Sequence, residues 1–179
     1  MTAANFAAAL AAVRRWEGGL ADQPSDPGGL TKWGISLRFL RAIGLDATGD
    51  GVVDGRDIRA LSEDQVARLY RTHFWMACRC DELPAGLDLA VFDCAVNQGP
   101  LRARRLLQAS LGVKVDGRLG PQTLAAAHAA TEGPGLDAAL REFMVRRALH
   151  YSSLGSLAVF GRGWFRRLFD IHARALGLT

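Results

Sequence analysis

One stretch near the N-terminus decides how the chain can be interpreted, and it reads Arg14-Arg-Trp-Glu-Gly-Gly-Leu-Ala-Asp-Gln-Pro-Ser-Asp-Pro-Gly-Gly-Leu-Thr-Lys-Trp-Gly-Ile-Ser36. The apolar residues before it (Phe6, Leu10 and Val13) recur at helical spacing and predict a helix from near Thr2 to Trp16. Gly18-Gly19 ends that helix, and the glycine- and proline-rich residues that follow predict a loop. The stretch therefore places one carboxylate, Glu17, where a helix gives way to a loop.

The rest of the chain predicts helix after helix. Gly44 is a C-cap for a helix from Ser36, and Ser62 with Gln65 forms a capping box that opens a helix to about Trp75. Prolines at 100 and 121 suit the first position of two further helices. Other helices are expected at 87–96, 135–151 and 164–175, and only 113–115 suggests a short strand. The pattern predicts an all-α chain with at most a minor short strand pair.

Composition limits the class of protein. The chain has 179 residues, of which 49% are hydrophobic, and a formal net charge of +4, which suits a single domain with a full core. A basic chain favours polyanionic partners such as nucleic acid, anionic lipid or an acidic bacterial wall. The densest basic groups, around Arg102 to Arg105 and Arg162 to Arg167, are either solvated helix faces or a wall-facing rim. No helix-turn-helix spacing or basic stripe supports nucleic acid as a partner.

The cysteines and the apolar segments bear on where the protein is made. Cys78, Cys80 and Cys94 have no zinc spacing and form an odd set, which favours reduced, packed thiols and folding in a cytoplasm. No segment is long and apolar enough for membrane insertion, and no secretion leader is evident. We therefore expect a monomer that needs a holin or a dedicated exporter to reach a cell wall.

Glu17, Asp26 and Thr31 could together carry out glycosidic cleavage. Such a reaction needs a carboxylic acid that protonates the leaving oxygen. A semi-apolar place beside an aromatic ring such as Trp16 favours the protonated form of a carboxyl group. Asp26 could act as base or nucleophile or stabilise positive charge, and the Thr31 hydroxyl could hold the attacking water. The alternatives are an exposed helix-terminal glutamate and a turn-forming aspartate before Pro27.

The quoted stretch resembles glycoside hydrolase family 108, through Glu17-Gly-Gly and Asp26-Pro-Gly-Gly-Leu-Thr-Lys-Trp-Gly-Ile35. Residues 89–99 and 115–123 are similar to the peptidoglycan-binding region that follows in this family, and residues 160–164 are similar to its C-terminal end. The resemblance implies a lysozyme-like helical fold and an N-acetylmuramidase of the phage-endolysin or secretion-cassette type. It implies Glu17 as the acid. A looser likeness to the Glu-Asp-Thr arrangement of phage lysozymes implies that Asp26 and Thr31 are the other catalytic residues. In those lysozymes the threonine lies one residue further along.

Aromatic and amide side chains are the candidates for sugar binding. Trp33, Tyr70 and Trp75 could stack on sugar rings, although Tyr70 and Trp75 have the helical spacing of core residues. Asn97 and Gln98 lie at a helix end before Gly99, where Asn97 could bind an N-acetyl group or cap the helix. The segment Val113–Thr123 could bind the wall or simply connect two helices.

An acidic loop over residues 46–57 has the spacing of an EF-hand calcium loop. Asp46, Thr48, Asp50, Asp54 and Asp57 supply side-chain oxygens, Gly51 occupies position six, and Val52 would offer its carbonyl. The loop departs from that pattern at Thr48 and by ending in aspartate instead of glutamate. A weak structural calcium site and a solvated acidic turn are both consistent with it.

The sequence thus predicts a peptidoglycan hydrolase that cleaves the β-1,4 bond between N-acetylmuramic acid and N-acetylglucosamine, without an organic cofactor. A lytic transglycosylase and a non-catalytic wall-binding protein are the alternatives. We expect one lysozyme-like domain, with a catalytic part over residues 1–84 and a peptidoglycan-binding-like half over residues 85–179.

Overall fold

The computed structural model describes residues 3–21, 30–131 and 135–178. The chain divides by its contacts into two compact units, one formed by Leu10–Tyr70 and one by Met1–Ala9 together with Arg71–Thr179. The division that the sequence predicts, after residue 84, falls inside the larger of these units. The described part is mostly helical with one small sheet, as predicted.

The unit Leu10–Tyr70 contains the end of the first helix, a three-stranded sheet and three short helices. Its elements are α1 (Ala3–Arg14, which begins in the other unit), β1 (Leu20–Ala21), β2 (Thr31–Lys32), β3 (Ile35–Ser36), α2 (Leu37–Ile43), α3 (Gly55–Ala60) and α4 (Glu63–Tyr70). The strands are antiparallel in the order β1-β2-β3, and Thr31 lies opposite both Ala21 and Ser36.

A two-residue turn, Trp33-Gly34, joins β2 to β3. Both residues have positive φ, 49° at Trp33 and 78° at Gly34, as the tight turn of a type I′ hairpin requires. Glycine adopts this conformation freely, whereas for tryptophan it is uncommon. The sequence predicts no strand here, because strands of two residues are too short to show alternation.

The helix ends of this unit follow local rules that the sequence displays. Ser36 caps α2 by accepting a hydrogen bond from the Phe39 amide, and Gly44 ends that helix in the left-handed conformation. Before α4, the Ser62 and Gln65 side chains each accept a hydrogen bond from the other's backbone amide. These observations confirm the predicted C-cap and capping box.

The larger unit is built almost entirely of helices. A π-helix (Arg71–Trp75) and two 3₁₀ turns (Met76–Cys78 and Cys80–Glu82) lead into α5 (Leu87–Gln98), α6 (Pro100–Ser110), α7 (Pro121–Ala129), α8 (Gly135–Ser152) and α9 (Leu157–Leu176). Helix α5 is buried from Leu87 to Ala95. The rings of Phe6, Trp75 and Phe92 meet edge to face at 5.3 to 5.9 Å between centroids and form an aromatic cluster in its core.

A buried ion cluster joins three helices of this unit. The Asp93 carboxylate on α5 accepts from Arg147 of α8 and from Arg167 of α9, both at 2.7 Å. The side chains of Asp93 and Arg147 are fully buried, and that of Arg167 is 6% exposed. Removing one partner of such a cluster leaves a buried charge uncompensated, so the cluster fixes how these helices pack.

Two details of the larger unit differ from the sequence prediction. Residues 113–115 form no strand, because the segment that they open packs around the buried side chain of Gln108. The Gln108 Nε2 donates to Asp116, to the Arg118 carbonyl and to the Thr123 hydroxyl, and its Oε1 accepts from the Gly117 amide. Helix α9 begins at Leu157, well before the expected Trp164. Within the described residues, no helix combines the length and apolar character needed to cross a membrane.

Candidate active site

Glu17 lies on the turn that continues α1 beyond its last helical residue. The Trp16 amide donates to the Val13 carbonyl at 2.9 Å, and the Glu17 amide donates to the Arg14 carbonyl at 3.3 Å. Gly18 then takes a positive φ of 37° and turns the chain toward β1. Glu17 is half-buried, so part of the residue stays accessible to solvent.

Gly34 brings the hairpin turn against the Glu17 carboxyl group. A Cβ built on Gly34 would lie 2.5 Å from Glu17 Oε2 and 2.4 Å from the Tyr70 hydroxyl oxygen. Real Cβ atoms do not approach other atoms so closely, so only glycine leaves room for both groups. Glu17 and Tyr70 therefore present their oxygens to the same point of the backbone, and these three residues form what we call the Glu17 pocket.

Tyr70 supports the hairpin turn through a hydrogen bond to its backbone. It is the last residue of α4, it is fully buried, and its hydroxyl donates to the Trp33 carbonyl at 2.9 Å. This bond, with that from the Trp33 amide to the Gly19 carbonyl at 3.2 Å, fixes the left-handed residue from both ends. The prediction that the Tyr70 ring stacks on a sugar is wrong, because the ring has no exposed face.

The Trp33 indole is half-buried, and two cations lie near its ring. The Arg14 guanidinium lies 5.3 Å and the Lys32 ammonium 4.7 Å from its ring centroid, which is within the range of cation–π attraction. Arg14 is anchored on Glu63 at 2.9 Å. The Lys32 ammonium donates to the carbonyls of Arg59 and Leu61 at 2.7 and 2.8 Å. The turn beside Glu17 is thus braced by α3, α4 and the loop between them.

Of the other two predicted catalytic residues, only Thr31 lies among the described residues. Thr31 lies on β2, half-buried, and its hydroxyl contacts the Ala21 carbonyl at 3.4 Å. That contact uses the hydroxyl proton and leaves the oxygen lone pairs available to accept from water. Asp26 lies outside the described residues, so its role stays a prediction.

The predicted sugar-binding residues of the larger unit are engaged within the protein. Trp75 is fully buried in the aromatic cluster, so the prediction that it stacks on a sugar is wrong. The side-chain Oδ1 of Asn97 accepts from the Tyr151 hydroxyl at 2.6 Å, and the C-cap of α5 is Gly99. Gln98 accepts from the Cys94 thiol at 3.1 Å, whereas its buried Nε2 has no hydrogen-bond partner among the described residues.

The acidic loop is closed by its own backbone amides. Asp46 accepts from the amides of Gly49 and Gly51, both at 2.6 Å. Asp57 is fully buried and accepts from the amides of Ala47, Thr48 and Asp54 at 2.7 to 3.0 Å. These hydrogen bonds lower the pKa of the Asp57 carboxyl to about 2, and the bond from the Asp54 amide has the largest effect.

The loop carboxylates do not converge on one point. Asp54 caps α3 and binds Arg56, which also binds Asp50 at 2.7 Å, while the Val52 amide donates to Asp50 at 3.0 Å. Across residues 3–21, 30–131 and 135–178, no three His, Cys, Asp or Glu side chains are grouped to hold a metal ion. Calcium binding therefore stays a prediction.

The three cysteines offer no nucleophile. All are buried and free, as expected for packed thiols. Burial raises the pKa of Cys78 to about 12 and that of Cys94 to about 11, and it raises the pKa of Cys80 as well. A thiol needs a lowered pKa to react at neutral pH, so cysteine catalysis is not supported.

Comparison with known proteins identifies the family of the chain. The family model described as Glycosyl hydrolase 108 matches residues 10–99, a segment that includes the whole Glu17 pocket. The chain belongs to this family. A second model, described as Predicted Peptidoglycan domain, matches residues 102–169. The protein is therefore a glycoside hydrolase that acts on peptidoglycan in the cell wall.

A solved structure extends the similarity over the full chain. The chain is 36% identical to Brucella abortus SagA, with a TM-score of 0.86, and the alignment covers 99% of this chain and 97% of that one. No curated protein sequence matches the chain. At this identity the helical fold is shared across both units.

Two parts of the arrangement are not predicted by the sequence analysis. Gly34 lies in the motif shared with the family, but a Trp-Gly pair is not one of the Asn-Gly or Asp-Gly pairs that indicate a hairpin turn. Tyr70 is a candidate for sugar binding by its aromatic character, and nothing local indicates that its hydroxyl reaches the turn. This family member thus builds the pocket from three segments that are distant in sequence.

Proposed function

We propose that the protein is an N-acetylmuramidase of the lysozyme type, which hydrolyses the β-1,4 bond between N-acetylmuramic acid and N-acetylglucosamine. The observation that carries the proposal is the Glu17 carboxyl group, half-buried and held against the backbone of Gly34. Glycosidic cleavage needs a carboxylic acid held in place to protonate the leaving oxygen.

Glu17 acts as the general acid in this proposal. Protonation of the glycosidic oxygen lets the sugar–oxygen bond break as positive charge develops on the muramic acid ring. Contact with Gly34 limits the rotamers open to the Glu17 side chain, and a fixed acid reacts faster than one that must first be oriented. The positively charged Arg14 and Lys32 are turned to the Trp33 ring, where they support the turn.

Thr31 and Asp26 manage the water in this proposal. The Thr31 oxygen retains acceptor capacity, and Asp26 supplies a carboxylate from the segment between β1 and β2. A water held by two side chains suits attack on the face opposite the leaving group, so we propose inversion at the anomeric carbon. Trp33, the one predicted aromatic residue that is partly exposed, is the proposed platform for a sugar ring.

The products released from purified sacculi test this function. Hydrolysis adds water and leaves a reducing N-acetylmuramic acid end, so mass spectrometry should find reducing muropeptides. A lytic transglycosylase instead leaves a 1,6-anhydro end, 18 mass units lighter by the loss of one water. Anhydro products would overturn the proposed hydrolysis, and reducing N-acetylglucosamine ends would overturn the proposed bond.

Delivery is the remaining part of the proposal. We propose that a holin or dedicated exporter releases the protein to the wall, where it acts as a monomer. Expression in a bacterial cytoplasm should be tolerated, and lysis should begin when a membrane pore is co-expressed. Lysis on expression alone would contradict this route.

A further inference from the structure

A cavity of about 460 Å³ lies at the start of α6, within the larger unit. Its apolar wall is formed by Pro100, Leu101 and Leu106, and it is lined besides by Gln98, Arg102, Arg105 and His150. No aspartate or glutamate of the described residues lines it. The cavity therefore combines an apolar surface with a group of positive and hydrogen-bonding side chains.

The two arginines of the cavity are not neutralised by the described part of the protein. Arg102 and Arg105 are exposed on successive turns of α6, and neither forms an ion pair with any carboxylate of the described residues. The Arg102 guanidinium instead contacts the His150 ring, 2.9 Å from Nδ1. Arginine can only donate, so a ring nitrogen must accept. Burial, and then the Arg102 charge, lower the pKa of His150 and favour its neutral form.

Further hydrogen-bond donors lie where α5 ends and α6 begins. The buried Gln98 Nε2 has no hydrogen-bond partner among the described residues, and a buried donor without a partner costs free energy. The first turn of α6 has no side-chain cap, so its amides add partial positive charge at the same wall. The amides at the start of α6 and the two arginines together favour an anionic ligand that carries an apolar part.

We propose that this cavity binds a carboxylate of the peptide that branches from the peptidoglycan glycan. Arg102 and Arg105 would hold the carboxylate, since guanidinium groups match carboxylate oxygens geometrically. The short aliphatic side chains of the peptide would pack on Leu101 and Leu106. The proposal rests on peptidoglycan being the substrate. It assigns the larger unit a specific contact with the peptide, separate from cleavage of the glycan.

Binding to two wall preparations tests the proposal. Intact sacculi carry the peptides, whereas amidase-treated sacculi are reduced to glycan strands that have lost the peptides and keep a lactyl carboxylate. Binding is measured in a Glu17→Gln background, so that the wall is not digested. The test protein adds Arg102→Gln and Arg105→Gln, and the control adds Arg41→Gln and Arg141→Gln, which remove the same charge from exposed positions of α2 and α8.

The test protein should bind intact sacculi at least tenfold more weakly than the control, because each lost contact is a charged hydrogen bond. The two proteins should bind amidase-treated sacculi equally. Equal binding to intact sacculi, or an equal deficit on both preparations, would overturn the peptide site. Failure of the Glu17→Gln protein itself to bind either preparation would count against the proposed function instead.

A competition experiment is independent of the variants. The peptide released by the amidase should displace the Glu17→Gln protein from intact sacculi, whereas inorganic phosphate at the same concentration should not. Displacement by phosphate alone would indicate a general anion site and would overturn the assignment to the peptide. Absence of displacement by the peptide would overturn it as well.

Discussion

Replacing Gly34 by alanine should inactivate the enzyme without unfolding it. The added Cβ would lie 2.5 Å from Glu17 Oε2 and 2.4 Å from the Tyr70 hydroxyl oxygen, whereas ordinary contact begins near 3.4 Å. Each oxygen must therefore retreat by roughly 1 Å, or the turn must shift by as much. A displacement of that size in a catalytic group can lower a rate by about a hundredfold.

Backbone strain also contributes, and a matched variant separates it from the contact with Glu17. Gly34 has a φ of 78° and Gly44 a φ of 67°, but a Cβ on Gly44 would meet nothing within 4 Å. An alanine in this left-handed region costs about 1–2 kcal/mol in either place. For a chain of this size that lowers the melting temperature by about 2–8 °C.

The assay is the rate of release of soluble fragments from sacculi, with melting curves recorded for both variants. Gly34→Ala should lose about a hundredfold in rate, and Gly44→Ala should keep a rate close to that of the unchanged protein. If Gly34→Ala retains full activity, or if both variants lose activity equally, then Gly34 does not position the acid and the close contact in the Glu17 pocket has no catalytic role.

Three further predictions concern the buried ion cluster and the acidic loop. Asp93→Asn should lower the free energy of unfolding by about 3–5 kcal/mol, because two buried arginines lose their counter-charge. The control Asp137→Asn breaks an exposed ion pair with Arg141 and should change that free energy by less than about 1 kcal/mol. Equal effects of the two variants in denaturant titrations would refute the role of the cluster. The pKa of Asp57 is held at about 2, below its ordinary value, so its ionised form stabilises the fold above about pH 4 and this contribution is lost as the pH falls through 2. An NMR titration should find that low midpoint, and a midpoint near 4 would contradict the bonds described. If the loop binds calcium with a Kd of about 1 mM, 10 mM calcium should add about 1.4 kcal/mol and raise the melting temperature relative to EDTA, and Asp50→Ala should abolish the difference. Coincident curves for the unchanged protein would show that the loop is only a turn.

The features that could be predicted from the sequence are those set by neighbouring residues. Ser36, Gly44 and the pair of Ser62 with Gln65 act within one helical turn, so their capping roles follow from local pattern. The prolines that open α6 and α7 are equally local. The position of Glu17 at a helix end is local too, and it makes this residue a candidate acid from the sequence alone.

The features that could not be predicted depend on distant contacts. Trp33 takes a left-handed conformation because Tyr70, 37 residues away, binds its carbonyl. Asp93 finds its arginines 54 and 74 residues away, and no periodicity reveals such a pairing. Tyr70 and Trp75 have the aromatic character of sugar platforms, yet burial in the fold removes them from that use.

The acidic loop shows how one pattern serves two structures. Aspartates spaced for a calcium loop are also spaced to cap a helix, and Asp54 with Asp57 forms a capping box at the start of α3. The sequence leaves both interpretations open because the same side-chain oxygens accept from amides or bind an ion. The position of Asp57, buried beneath the loop, is a tertiary feature and is not readable from spacing.

The rate of the Glu17→Gln variant on sacculi tests the central claim most directly. The substitution keeps the shape of the side chain and removes the proton donor, so the rate should fall by about a hundredfold to ten-thousandfold. The melting curve and the binding to sacculi should stay unchanged. Glu142→Gln, the same change at an exposed residue of α8 paired with Arg146, should keep nearly full activity. A folded Glu17→Gln protein that cleaves at close to the rate of the Glu142→Gln control would contradict the assignment of Glu17 as the catalytic acid.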